Sequence, residues 1–178
     1  MDVEEILAEV RDRKIRHVVL TGGEPMLFDG IGPLTAGCRE AGHIITIETA
    51  GTVFREVACD LMSISPKLAN STPVGTGWGG VHDAKRIDVS ILGKLIETYH
   101  FQLKFVVNPD SPGDFEEIED LLGRLPAVAP EQVLMMPEGR DRESLLAKAR
   151  ALVPICMERG WRLTPRLQID LFGDTKGT

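Results

Sequence analysis

Five short segments carry residues whose types and spacing can do chemistry: Thr21-Gly-Gly-Glu-Pro25, Glu48-Thr-Ala-Gly-Thr52, Ser63-Ile-Ser-Pro-Lys67, Lys104-Phe-Val-Val-Asn108 and Met136-Pro-Glu-Gly139. In the first, two consecutive glycines bare backbone N–H and C=O groups to a close-lying ligand, with no Cβ in the way. Glu24 adds a carboxylate able to accept hydrogen bonds from an ammonium, and Pro25 fixes the exit of the turn. The segment has neither the GxGxxG spacing nor the lysine of a phosphate cradle. It suits an amino-acid-like ligand better than a nucleotide phosphate. Each segment taken alone has an ordinary structural reading. A double glycine permits a positive-φ turn, Glu24 suits a helix start, and Ser65-Pro66 reverses the chain. Such segments closing one strand after another argue for a shared site.

The elements that must position these residues alternate. Residues 2–14 place Val3, Ile6, Leu7 and Val10 at helical spacing, acids early and bases late. A strand is predicted at 17–21, a helix at 31–41 stopping at Gly42, and strands at 43–48 and 60–65. Residues 66–84, rich in Pro, Gly, Ser and Thr, form the longest irregular stretch. Helices at 86–98, 114–125 and 142–158 then alternate with strands at 101–107, 132–136 and 161–163, before a tail ending GDTKGT. No repeat, low-complexity tract or linker divides the chain, so residues 1–178 read as a single domain. Alternation of this kind implies parallel strands joined by right-handed crossovers. Ligands in such sheets sit beyond the carboxyl ends of the strands, where the five segments fall.

Composition narrows the class. The chain has 178 residues, 43% hydrophobic and 26% charged, which excludes disordered and fibrous classes. No apolar run approaches the ~18 residues that span a bilayer, and the acidic, amphipathic start is neither a secretory signal nor a transit peptide. With 27 acidic against 20 basic residues the net charge is −7, which disfavours nucleic-acid binding. Cys38, Cys59 and Cys156 lie far apart, without CxxC spacing, and His17, His43, His82 and His100 are equally scattered. An odd cysteine count without a signal peptide points to reduced thiols and a cytoplasmic protein.

HVVLTGGEPML resembles the GGEP segment of radical S-adenosylmethionine enzymes. ETAGT, SISPK, LKFVVN, LMMPEG and the tail RLTPRLQIDLFGDTKGT are more specific and resemble the 7-carboxy-7-deazaguanine synthases of 7-deazapurine (queuosine) biosynthesis. The resemblance covers essentially the whole chain. It implies a fold of the α/β class, a partial (β/α) barrel of the radical S-adenosylmethionine type. It also implies a radical ring contraction of 6-carboxytetrahydropterin to 7-carboxy-7-deazaguanine, with S-adenosylmethionine, a 4Fe–4S cluster and Mg²⁺. Gly22, Gly23 and Glu24 would hold the methionyl ammonium, with Gly51 packed against the same cofactor. Ser65, Pro66 and Lys67 would line its adenosyl or carboxylate side, with Lys104 and Asn108 at the neighbouring strand end. Thr49, Gln168 and the α-carboxylate of Thr178 would meet the pterin substrate. The implied partners are a flavodoxin- or ferredoxin-type electron donor and a second copy in a homodimer, with no nucleic acid and no membrane.

The chain departs from the family in its cysteines. The superfamily holds its cluster by a CxxxCxxC-like loop after its first strand, beside a magnesium-binding Ser or Thr, and neither has a counterpart here. The expectation is a barrel lacking that first strand and cluster loop, as in an N-terminally shortened enzyme. No metal ligand and no secure catalytic residue remain in such a chain, which would form no cluster, show no turnover and bare one sheet edge. The alternatives are a cluster-free relative that binds a pterin or nucleoside, and another radical enzyme such as a glycyl-radical activase.

Overall fold

The computed structural model describes residues 2–71 and 86–175. Contacts divide the chain into two compact units, one of residues up to 65 with 87–102, the other of 66–86 with the residues from 103 onward.

The first unit opens with α1 (Val3–Asp12). Asp2 caps it, accepting from the Glu5 N–H at 2.9 Å, while the Glu5 carboxylate accepts from the Asp2 N–H at 2.8 Å. This reciprocal pair satisfies two donors that a helix start leaves without partners. Then follow β1 (His17–Leu20), α2 (Ile31–Glu40), β2 (Ile44–Thr49), β3 (Leu61–Ile64) and α3 (Val89–Thr98). The order in the sheet is β1-β2-β3, with both pairings parallel: Leu20 lies opposite Ile47, and Thr49 opposite Ile64. Strand β2 alternates, burying Ile45, Ile47 and Thr49, as the period of two demands. The link from β2 to β3 contains no helix. It is pinned by side chains instead: the Tyr99 hydroxyl donates to the Arg55 carbonyl and accepts from the Val57 N–H, both at 3.0 Å. Val19 of β1 is 55% exposed.

The second unit contains β4 (Phe101–Val107) from Leu103 onward, α4 (Pro112–Arg124), β5 (Val133–Pro137), α5 (Arg142–Arg159), β6 (Arg162–Leu163) and α6 (Leu167–Phe172). Its order is β4-β5-β6, again parallel. Leu103, Phe105 and Val107 are buried on one face of β4, and Phe115, Ile118 and Leu121 on one face of α4. Six strands among the described residues, every described pairing parallel, make this an α/β protein with the predicted alternation.

The differences are local. Helix α4 starts two residues before the predicted Asp114, because Pro112 is preorganised for the first helical position. Helix α3 starts at Val89 behind the Asp88 cap, whose carboxylate accepts from the N–H groups of Ser90 and Ile91. The tail, read only as a tail, contains helix α6, held by the buried Ile169. Its six residues are too few for a periodic signal.

Candidate functional site

The site begins where β1 ends. Gly22 and Gly23 adopt φ values of 100° and 40°, which L-residues with a Cβ rarely tolerate. A Cβ on either would meet nothing within 4 Å. Their conformation requires glycine, and the space beside them is open. A cavity of about 460 Å³ runs along residues 21–25 and is walled by apolar side chains, among them Ile6, Val19, Leu20 and Phe28.

Glu24 follows as the cap of a 3₁₀ turn over Pro25–Leu27, and the next residue but one, Met26, is fully buried. Its Oε1 accepts from the Met26 N–H at 3.1 Å. The Thr49 hydroxyl donates to the same carboxylate at 2.8 and 2.9 Å, and the Ala50 N–H donates to Oε2 at 2.8 Å. Thr49 is only 3% exposed. The alternation of β2 forces it inward beside Ile45 and Ile47, so its hydroxyl must find a partner inside. Its Oγ1 also accepts from the Gly51 N–H at 3.0 Å. Beside this clasp the Thr21 hydroxyl donates to Glu48 at 3.2 Å, and the Ser65 N–H donates to the Thr49 carbonyl at 2.7 Å. The first unit therefore brings together Gly22, Gly23, Glu24, Thr49, Gly51 and Ser65.

Gly51 differs from the double glycine. Its φ is 76°, and a Cβ there would fall 2.4 Å from Leu92 Cδ2 and 2.8 Å from Ile64 Cγ2. The missing side chain makes room for the protein's own core.

In the second unit, Pro66 is buried and Lys67 exposed, and the Lys67 carbonyl accepts from Arg86 at 3.0 Å. Residues 69–71 form a 3₁₀ turn tied to α4. The Ala69 N–H donates to Glu117 at 2.9 Å, and Arg86 pairs with the same carboxylate. Asp114, buried, accepts from the Asn70 side chain at 2.8 Å, the Asn108 N–H at 3.0 Å and the Ser111 hydroxyl at 3.0 Å. The Asn108 side chain accepts from the Asp110 N–H at 3.3 Å and closes a local turn. Asp114 and Glu117 thus hold the Lys67 segment and the exit of β4. Their signal was a pair of carboxylates one helical turn apart, which reads from sequence only as an acidic helix start.

Lys104 was placed at a strand end; it stands inside β4, opposite Leu134, on the half-buried face away from Leu103 and Phe105. Gln168 is exposed on α6. Two residues before it, the Nε of Arg166 is buried without a hydrogen-bond partner among the described residues. Thr178 lies outside the described residues.

The cysteines do not fit an iron–sulfur cluster. Cys38 lies in α2, Cys59 before β3 and Cys156 in α5. Burial raises all three thiols, Cys59 to about 11. Among the described residues, no three His, Cys, Asp or Glu side chains gather as metal ligands, and no helix is long and apolar enough to cross a membrane.

Parallel strands ending in a bare glycine turn define an α/β protein, a class whose ligands sit at the carboxyl ends of the strands. No protein-family model matches the chain. It is 43% identical over 191 residues to the 7-carboxy-7-deazaguanine synthase of Halobacterium salinarum, spanning 100% of this chain and 74% of that one. It is 39% identical over 180 residues to the same-named protein of Rhodopirellula baltica, spanning 99% of this chain and 69% of that one. The crystal structure of QueE from Escherichia coli superposes with a TM-score of 0.66 at 27% identity, covering 93% of this chain and 64% of that chain. The chain therefore belongs to the 7-carboxy-7-deazaguanine synthase family of radical S-adenosylmethionine enzymes.

Proposed function

We propose that this chain carries the S-adenosylmethionine- and pterin-binding part of a 7-carboxy-7-deazaguanine synthase. The observation that carries the reading is the Gly22–Gly23 turn at the end of β1, at positive φ with open space where a Cβ would stand. Such a turn presents main-chain polar groups to an amino-acid end, so it fits the methionyl group. The chemistry that S-adenosylmethionine supplies when bound is a sulfonium whose bond to the adenosyl carbon can be cleaved. Gly22 and Gly23 would seat its amino end, with Ser65 of the same unit beside it; roles for Pro66, Lys67, Lys104 and Asn108 rest on the family resemblance alone. Gln168 and Thr178 would face a 6-carboxytetrahydropterin on its way to 7-carboxy-7-deazaguanine. A flavodoxin- or ferredoxin-type donor, a cytoplasmic setting and a homodimer complete the proposal.

Because Cys38, Cys59 and Cys156 lie on different elements, far apart in sequence and without cluster-motif spacing, we propose no cluster on these thiols, no magnesium site among the described residues and no radical step by this chain alone. Equilibrium dialysis against S-adenosylmethionine tests the binding reading. Saturable uptake by the wild type, lost in a folded Gly22→Val, Gly23→Val chain, is the expected result; no uptake overturns it. Anaerobic reconstitution with iron and sulfide tests the second statement, and a stoichiometric cluster with visible charge-transfer absorbance would overturn it.

A further inference from the structure

We infer that Glu24 is a positioning residue whose carboxylate clasps the turn after β2 to the turn after β1, leaving the ammonium of the ligand to the backbone of Gly22 and Gly23. The inference rests on the binding site proposed above for its ligand. A carboxylate offers about four acceptor positions. Glu24 already takes three donors, the Met26 N–H, the Thr49 hydroxyl and the Ala50 N–H, which leaves at most one position open. The Thr49 hydroxyl has one proton, and its oxygen is occupied as acceptor by the Gly51 N–H. Its proton therefore goes to Glu24. Thr49 is buried, so if Glu24 swung toward a ligand, a hydroxyl and the Ala50 amide would lose their partner away from water. The sequence segment GGE thus divides its work: the two glycines present a bare, open turn, and the glutamate joins that turn to the next strand end.

Two measurements test this. In the ligand-free chain, Glu24→Gln and Thr49→Val are each expected to speed hydrogen exchange at the Ala50 amide by about tenfold or more. Thr49→Ser, which keeps the donor, is expected to restore the wild-type rate, with the Phe105 amide unchanged throughout as the check on folding. Unchanged exchange at Ala50 in a folded Glu24→Gln chain overturns the clasp. In the second measurement, calorimetry compares S-adenosylhomocysteine with 5′-methylthioadenosine, which lacks the amino-acid end. A positioning role predicts that Glu24→Gln changes both affinities by the same factor, to within about twofold. Weakening confined to S-adenosylhomocysteine, by about tenfold or more, makes Glu24 an ammonium ligand and overturns the inference. If the wild type binds neither nucleoside, the binding-site reading fails, and the exchange result alone decides whether Glu24 holds the two turns.

Discussion

Two glycine turns close neighbouring strands, and they are glycine for opposite reasons. After β1, Gly22 and Gly23 hold positive φ with nothing within 4 Å of a built Cβ. After β2, Gly51 holds a similar φ, but a Cβ would enter the space of Leu92 and Ile64. The first turn faces outward and is available to a ligand; the second is a close approach of backbone to core. A resemblance that assigns both glycines to one cofactor carries no information on these two different surroundings. Between them stands Glu24, whose carboxylate accepts from Thr49 and Ala50 and so ties the packed turn to the open one.

The comparison can be broken by substitution. Gly51→Ala combines left-handed strain with overpacking and is expected to destabilise by about 2–4 kcal/mol, read from denaturant midpoints. A loss no larger than that of Gly22→Ala would erase the difference between the turns. Thr49→Val is next. It removes the buried hydroxyl that serves Glu24 and the Gly51 N–H at once, at a cost of about 1–3 kcal/mol. Full retention of stability would show that the clasp is dispensable to the fold. Gly22→Ala meets no neighbour, so strain alone costs about 1–2 kcal/mol, while S-adenosylmethionine uptake should fall far more than stability does. Equal losses in both would make the open turn merely structural.

The smallest effect concerns Cys59, whose thiol burial holds at about 11 against an ordinary 9.0. The folded chain binds this proton more tightly than the unfolded chain, so the resulting stability is complete below about pH 9 and lost as pH rises toward 11. Alkylation of Cys59 in the native protein should stay slow at pH 8 and accelerate only through that range. Rapid labelling at pH 8 would mean that the segment before β3 opens readily.

Much of the fold was legible because its signals are local. Ile45 and Ile47 alternate with half-buried neighbours at period two, and Val3, Ile6, Leu7 and Val10 repeat at helical spacing. Gly22 and Gly23 were legible as a bare turn because consecutive glycines have few other uses at a strand end. Lys104 was grouped with Asn108 at the strand end, although the predicted strand 101–107 matches β4 and puts Lys104 in its middle, opposite Leu134. The buried carboxylate of Asp114, joined to Asn70 and Asn108, gave no sequence signal beyond an acidic helix start.

By itself the sequence determined the alternation of elements, the parallel α/β class, the open glycine turn and, through its motifs, the family. Tertiary structure alone set the surroundings of each polar group. That Glu24 lies within hydrogen-bond distance of Thr49, and that a Cβ on Gly51 would enter the space of Leu92, follows from contacts between residues distant in sequence. Parallel pairing brings residues 24 and 49 together from 25 positions apart, a separation over which local propensity and periodicity carry no information.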